Sequence, residues 1–220
     1  MMIQILGNQN SIFNQFIAEI RDEKIQKDPL RFRTNIERIS MIFAYEISKR
    51  LNYTTHEVIT SLGVAETPVL TDPVVIASIL RAGLPMHQGM LAIFDKAENA
   101  FISAYRKYAK DEVFQIKVEY TSSPSLEDKT LILNDPMLAT GASMALTYRE
   151  LMQFGKPRHT HIVSIIASAE GIDYIKRKLS PGDYTLWVGA IDDELTAQSY
   201  IVPGLGDAGD LAFGKKNETH

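Results

Sequence analysis

Short runs of apolar, largely β-branched residues recur through the middle and last part of the chain, and stretches with helical spacing separate them. Such runs are typical of strands buried on both faces of a parallel sheet. They occupy residues 74–80, 130–133, 161–166 and 184–191, and the helical spacing occupies 140–154 and 170–179. Because parallel neighbours need a long crossover, the alternation predicts right-handed βαβ units and an α/β fold: a central, mostly parallel sheet flanked by helices.

The part of the chain before this alternation has helical periodicity. Asn10 or Ser11 can cap one helix, and Asp28 followed by Pro29 is typical of the start of a second. We therefore expect residues 1–70 to be mainly helical and to pack over the sheet. Their apolar faces are also a candidate interface for a second copy of the chain.

Residues 101–106 and 113–120 have a different pattern, with apolar and polar residues in alternation around a charged turn at 107–112. This pattern predicts an exposed, protruding β-hairpin, a flap over residues 100–122. We find neither an internal repeat nor a low-complexity linker, so the prediction for residues 1–220 is a single domain.

Charge and hydropathy exclude some classes of partner. The net charge is −4 and the pI about 5.8, which argues against a nucleic-acid partner. The sequence has no apolar run of about 18 residues, so we expect no membrane span. It has no cysteine, which excludes disulfides and thiolate chemistry and is compatible with the cytoplasm.

The richest motif follows the run at 130–133, where a buried strand ends in an acid and a helix opens a few residues later. The free amides and hydroxyls at that helix start can bind a phosphate, and the acid can accept hydrogen bonds from ribose hydroxyls. A capped core helix after a turn has the same pattern. The residues are Asp135, Pro136, Met137, Leu138, Ala139, Thr140, Gly141, Ala142 and Ser143.

Two cationic positions are candidates for the same anion. Arg81 ends the run at 74–80 and precedes Ala82 and Gly83, so its guanidinium could bind a pyrophosphate in a forked arrangement. A surface arginine paired with an acid is the alternative. Arg106 lies in the Tyr-Arg-Lys segment of the hairpin, which could close over a phosphate or could be an ordinary solvated turn.

Residues 200–210 form a glycine-rich segment whose backbone can approach a flat ligand closely. Its Gly204 to Gly209 stretch matches the dinucleotide pattern G-x-G-x-x-G. We reject that match, because only eleven residues follow and they are too few for a helix and a further strand. A disordered tail is the alternative, although the apolar residues of the segment favour burial.

Two clusters of possible metal ligands are given other interpretations. His159 and His161 would share a strand face, but no third ligand is apparent, and a surface histidine pair is expected. The acidic run 192–194 is more typical of a solvated turn.

Taken together, these segments resemble the uracil phosphoribosyltransferases, which have a type I phosphoribosyltransferase fold. Residues 135–143 resemble that family's loop for phosphoribosyl pyrophosphate (PRPP), and residues 200–214 resemble its uracil-binding C-terminal loop, here taken as 192–214. Residues 79–83 and 105–106 resemble its other phosphate-contacting segments, and residues 31–33, 169–171 and 190–192 also fit. The departures are Ala142 in place of a glycine and Lys215 in place of a threonine.

The resemblance implies roles for these residues. Arg81, Arg106 and Asp207 would be catalytic and would bind PRPP together with residues 135–143. Uracil would be held by Ile201, Gly206, Asp207 and Ala208, with Tyr200 in support. Mg²⁺ would arrive on PRPP without a dedicated protein cage, with Asp207 in its second coordination sphere.

The resemblance further implies UMP salvage from uracil and PRPP in the cytoplasm by a homodimer or a larger homo-oligomer, and it leaves open whether GTP is an effector. Two other functions stay open at this point. One is transfer to a purine or a different pyrimidine, and the other is a regulatory protein that senses nucleotides or binds RNA. The C-terminal loop argues against the first, and the acidic pI argues against RNA binding.

Overall fold

The computed structural model describes the backbone of residues 2–108 and 114–216, and the side chains of these residues outside 104–118. Its α-helices are α1 (Ile12–Arg21), α2 (Pro29–Ser48), α3 (Leu84–Leu91), α4 (Ala142–Leu151), α5 (Ala169–Lys178) and α6 (Ala208–Phe213). Its strands are β1 (Met2–Ile5), β2 (Tyr53–Thr60), β3 (Gly63–Leu70), β4 (Val74–Leu80), β5 (Glu98–Tyr108), β6 (Phe114–Ser122), β7 (Thr130–Asn134), β8 (Met137–Leu138), β9 (His159–Ser168), β10 (Tyr184–Asp192), β11 (Glu194–Leu195) and β12 (Ile201–Val202).

The central sheet has eight strands in the order β1-β10-β9-β7-β4-β5-β6, with the short β8 paired to β9. Neighbours in this sheet are parallel except for β5 and β6, which are antiparallel. The α/β prediction is confirmed, and the four predicted runs form β4, β7, β9 and β10. The predicted hairpin also exists, but its first strand pairs with β4 over Glu98 to Ser103 and so belongs to the central sheet.

Two hydrophobic layers sandwich the sheet because alternate strand residues point to opposite faces. Ile76, for example, packs under α1, α2 and α3, and its neighbour Val75 packs on the side of α4 and α5. Both side chains are fully buried. This double burial explains why the strands are continuously apolar.

Local capping explains where the first two helices begin. The Ser11 hydroxyl accepts a hydrogen bond from the Phe13 amide at 3.3 Å, and Asp28 accepts from the Leu30 and Arg31 amides at 2.9 and 3.2 Å. Both predicted starts are confirmed. Most apolar residues of α1 and α2 are buried against the sheet, while Ile12, Leu30 and Tyr45 are exposed. The interface expected of these helices stays a prediction.

Residues 53–70 correct the prediction of a mainly helical opening part. They form the antiparallel hairpin of β2 and β3, which is a separate two-stranded sheet. Most of its residues are exposed, including Ile59 at 87% and Leu62 at 97%. Residues 2–5 are also not helical, because β1 extends the central sheet beside β10.

Within residues 2–108 and 114–216, no helix combines the length and apolar character that crossing a bilayer requires.

Candidate active site

The carboxyl ends of β4, β7, β9 and β10 lie along one edge of the sheet, since these parallel strands are successive neighbours. Ligands of open α/β sheets bind at this edge. The strands end there at Leu80, Asn134, Ser168 and Asp192. Arg81 and Asp135 come directly after the first two, so two of the predicted site residues follow adjacent strands.

The loop predicted to bind PRPP is held by backbone contacts to β9. The Asp135 amide donates to the Val163 carbonyl at 3.1 Å, and the Pro136 carbonyl accepts from the Ile165 and Ile166 amides. Met137 and Leu138 then form β8 beside β9. The Asp135 carboxylate accepts from the Met137 amide at 3.2 Å.

The helix after this loop begins at Ala142, two residues later than predicted, because Gly141 has φ +77 and acts as its N-cap. Gly141 has no side chain, so the N-cap residue itself leaves the first-turn amides uncapped. The Thr140 hydroxyl accepts a weak bond from the Ala142 amide at 3.4 Å. Helix-start amides without side-chain caps are suited to a phosphate. Ala142 itself does not have a positive φ, so its methyl group adds no backbone strain at this position.

The same loop packs tightly on the start of α5. Ser168 donates to the Ala139 carbonyl and accepts from the Gly171 amide at 2.8 Å. A methyl group on Gly171 would lie 2.3 Å from the Ala139 carbonyl oxygen and 2.7 Å from that of Leu138. The residue at 171 must therefore be a glycine if the loop is to keep its position.

Arg81 connects the end of β4 to the C-terminal segment. Its Nη2 donates to Asp210 Oδ1 at 3.1 Å and to the Gly214 carbonyl at 3.2 Å, and its side chain is 43% exposed. This is the acid-paired arrangement that we considered as the alternative. Solvent screens such a pair, so a ligand pyrophosphate can compete for the guanidinium.

The glycine-rich segment is ordered and turns into a short helix. Asp207 is the N-cap of α6, where its Oδ1 accepts from the Asp210 amide at 2.9 Å. Ile201 and Ala208 are buried, at 4% and 3% exposure. Tyr200 is exposed at 45%.

Gly206 differs from its neighbours. It has φ +92, and a methyl group placed on it would meet nothing within 4 Å. Gly204, with φ +53, is enclosed instead, because a methyl group there would lie 2.1 Å from the Ile201 carbonyl oxygen. The open side of Gly206 is compatible with a ligand ring against the backbone. The preceding β12 lies outside the central sheet, so the rejection of a dinucleotide βαβ unit is confirmed.

Asp192, at the end of β10, is not the solvated turn residue that we expected. It is 7% exposed and binds Arg21 through both oxygens at 2.8 Å, and it also accepts from the Gly204 amide at 2.8 Å. Burial would raise the pKa of Asp192, but these hydrogen bonds and the Arg21 charge hold it below the ordinary 3.8. No local sequence pattern indicates this contact, because its partners are 171 residues apart.

The remaining predicted site residue is Arg106. Its backbone pairs with Ile116 in the β5–β6 ladder, but its side chain lies outside the described residues, as does part of the charged turn.

For the metal, the described residues contain no group of three or more histidine or acidic side chains able to hold an ion. Asp207 has its Oδ2 3.8 Å from Lys216 Nζ, and its place in the outer sphere of a ligand-borne cation stays a prediction.

The histidine pair lies at the opposite, amino-terminal edge of the sheet. His161 is buried at 3% exposure, so the expectation of a surface pair was wrong for it. Burial, aided by the nearby His159 and Arg50, lowers the pKa of His161 to about 3, and the Trp187 indole donates to its Nδ1 at 3.0 Å. Both histidines line a cleft of about 280 Å³. A neutral imidazole bonded in this way is a satisfied core residue.

Comparison with known proteins identifies the family. The model of the uracil phosphoribosyltransferase family matches residues 8–215. A uracil phosphoribosyltransferase of Porphyromonas gingivalis is 55% identical over 211 residues, which cover 96% of this chain and 97% of that protein. One from Methanothermobacter thermautotrophicus is 36% identical over 220 residues, covering 99% and 98%.

The chain belongs to the uracil phosphoribosyltransferase family. The matched region contains all four segments that we singled out from the sequence. The fold agrees as well: the structure of the AQ2163 protein from Aquifex aeolicus superimposes with a TM-score of 0.85 at 28% identity, covering 97% of this chain and 98% of that one. Membership of this uracil phosphoribosyltransferase family makes the chain a phosphoribosyltransferase, that is, a glycosyltransferase.

Proposed function

We propose that this chain converts uracil and PRPP to UMP and pyrophosphate. The observation that carries the proposal is the arrangement at the carboxyl edge, where Arg81 follows a strand adjacent to the Asp135 loop and bonds to Asp210 and Gly214 of the C-terminal segment. The guanidinium thereby connects the C-terminal segment to the end of the strand next to the predicted phosphate-binding loop. This supports a site in which a sugar phosphate and a base meet.

The proposed reaction forms a bond from N1 of uracil to C1 of the ribose and breaks the bond from C1 to the pyrophosphate oxygen. The N1 proton leaves to solvent. Positive charge develops on the ribose and negative charge on the leaving group, so Arg81 and Arg106 stabilise the pyrophosphate electrostatically. None of the candidate site residues is an obvious strong general base, and positioning supplies much of the rate.

Residues 135–143 would hold the 5-phosphate and the ribose hydroxyls. Asp135 is the acceptor for the hydroxyls, and the amides at the start of α4 are the donors for the phosphate. The main chain of Ile201, Gly206 and Ala208 would pair with uracil, with Tyr200 nearby. Bound with PRPP, Mg²⁺ would neutralise charge on the pyrophosphate, and Asp207 would contact its water shell.

A coupled assay of UMP formation with Mg²⁺, PRPP and a panel of bases tests the proposal. We expect turnover with uracil and little with purines or cytosine. Asp135→Asn should lose PRPP binding. Arg81→Ala should lose most turnover, and its circular dichroism spectrum should show that the fold is retained. Preference for another base, or absence of UMP at any enzyme concentration, would overturn the proposed function. Near-normal activity of either variant would overturn that residue's role.

We also propose that the chain acts as a homodimer or a larger homo-oligomer. The β2–β3 hairpin supports this, because it carries exposed apolar side chains that a lone subunit leaves in water. They are Tyr53, Val58, Ile59, Leu62 and Val64. An edge of this kind is a ready partner for another chain.

Two further parts of the proposal come from the resemblance alone. GTP as an effector is tested by adding it to the same assay, where a change in kcat or in the KM for PRPP supports the effect and unchanged constants exclude it. A cytoplasmic location is tested by cell fractionation, and recovery in the membrane or exported fraction would contradict it.

A further inference from the structure

The turn that leads into the predicted uracil-binding loop is fixed by a closed ring of hydrogen bonds from the N-terminal helix α1. Arg21, the last residue of α1, donates from Nη1 and Nη2 to the two oxygens of Asp192 at 2.8 Å each. Its Nη1 also donates to the Gly204 carbonyl at 2.9 Å, and the Gly204 amide donates to Asp192 Oδ2 at 2.8 Å. Both polar groups of the Gly204 backbone are therefore bound.

Burial strengthens the bonds of this ring, and their geometry restricts the positions of the groups that they connect. The Arg21 and Asp192 side chains are 21% and 7% exposed, so water screens the pair little. Two parallel bonds from a planar guanidinium to a carboxylate fix orientation as well as distance. Gly204 has φ +53, and a side chain there would clash with the Ile201 carbonyl oxygen, so this turn requires a glycine. The ring thus determines the direction in which the chain leaves residue 204.

Two more side chains of the N-terminal region bind carbonyls farther along the same segment. The Gln26 amide, oriented with its nitrogen toward the loop, donates to the Leu205 carbonyl at 2.8 Å. Arg33 of α2 donates to the Ala212 carbonyl at 2.7 Å. The backbone of residues 204–212 is therefore held at three points by side chains from residues 21–33. Gly206 lies between the first two of these points and the last.

We propose that Arg21 and Asp192 are positioning residues for base recognition, which set uracil affinity and the discrimination against uracils with a larger 5-substituent. This proposal rests on the proposed function. Neither residue needs to touch the substrate: they act by placing the main chain around Gly206. A pocket made of main-chain groups cannot compensate by changing side-chain rotamers. A displaced main chain therefore weakens base binding directly. Displacement by about 1 Å can cost on the order of 10²-fold in rate.

Arg21→Lys is the informative variant, because it keeps the charge but loses the planar fork and cannot bond to both Asp192 oxygens and the Gly204 carbonyl in the same way. We expect the KM for uracil to rise about 10-fold or more, and the KM for PRPP to stay within about twofold. Arg21→Ala should be more severe. The preference for uracil over 5-bromouracil, measured as a ratio of kcat/KM, should fall in both variants.

Arg31→Lys is the matched control. Arg31 makes the same forked contact, to Glu19 at 2.7 and 2.8 Å, within the same helical layer, but it does not bond to the C-terminal segment. It should leave both KM values and the base preference unchanged. A common effect of the two lysine variants would mean that general destabilisation, rather than positioning, is the cause, and this would overturn the inference.

Hydrogen exchange of the ligand-free protein supplies a readout that does not depend on activity. Arg21→Lys should raise amide exchange in residues 201–209 and leave the β7 and β9 amides protected. If wild-type protein makes no UMP, the proposed function fails, whereas the exchange result still tests the contact. If wild-type protein is active, and the variant has an unchanged KM for uracil and unchanged exchange, the positioning role is refuted.

Discussion

Replacing Gly171 with alanine tests how closely activity depends on the position of the residues 135–143 loop. The added methyl group would lie 2.3 Å from the Ala139 carbonyl oxygen. An ordinary contact needs about 3.4 Å or more, so the loop must move by roughly 1 Å away from α5. Gly141, at the helix start that follows, is also packed on α5, where a methyl group would lie 2.7 Å from the Gly171 carbonyl oxygen.

The expected losses of activity and of stability follow from this displacement. A shift of about 1 Å in a positioning element can lower the rate by about 10²-fold, which corresponds to about 2.7 kcal/mol in the activation free energy. Overpacking should also lower the free energy of unfolding by about 1–3 kcal/mol. We expect kcat/KM for PRPP to fall by this factor in the UMP-formation assay at saturating uracil. The melting temperature should fall only modestly.

Gly89→Ala is the control for destabilisation alone. A methyl group on Gly89 would lie 2.2 Å from the Glu37 carbonyl oxygen, in the packing of α3 on α2 and away from the loop. Gly89→Ala should lower the free energy of unfolding by a similar amount to Gly171→Ala. Its kcat/KM for PRPP should change little. If Gly171→Ala had normal kinetics, or if the two variants lost activity equally, the loop would not be positioned by α5 in the way that we infer.

Three further predictions concern other parts of the molecule. Gly206→Val places a branched side chain on the open face and at a strained φ, so the KM for uracil should rise at least about 10-fold with PRPP binding retained; an unchanged uracil KM would contradict this. Leu62→Asp puts a charge on the exposed hairpin tip, and light scattering should then report a smaller assembly than for wild-type protein; equal masses would argue against the hairpin as an interface. Because Asp192 has a folded-state pKa below 3.8, its contribution to stability is present above that value and is lost as the pH falls through the folded pKa. The difference in urea midpoint between wild-type protein and Asp192→Asn should therefore shrink between pH 5 and about pH 3, and a constant difference would refute the pairing.

The main elements of the fold are predictable because their sequence patterns are local. A strand such as β4 is apolar at successive positions since both of its faces are covered, and Ser11 and Asp28 cap helices through contacts two or three residues away. The β2–β3 hairpin lacks such a signal. Its two-residue connection at 61–62 is Ser-Leu rather than a glycine-containing turn, and its apolar residues face outward.

The candidate site is predictable to a similar degree and for the same reason. Asp135 and Arg81 could be singled out because each follows a strand ending at the ligand-binding edge. The roles of Arg21 and Asp192 could not, because no local pattern relates residues 171 positions apart. The exact start of α4 was also missed, since the left-handed conformation of Gly141 depends on its packing against Gly171.

The bonds from Arg21 and Arg33 to the C-terminal segment span 171 to 183 positions of the chain. Contacts between residues this distant in sequence carry a high loop-closure entropy. The strands β11 and β12 after Asp192 pair with each other and not with the central sheet, so we expect this segment to open at a lower free energy than the sheet. Catalytic competence should then be the last property that the nascent polypeptide acquires. On warming or in dilute denaturant it should also be the first to disappear, while the central sheet is still intact.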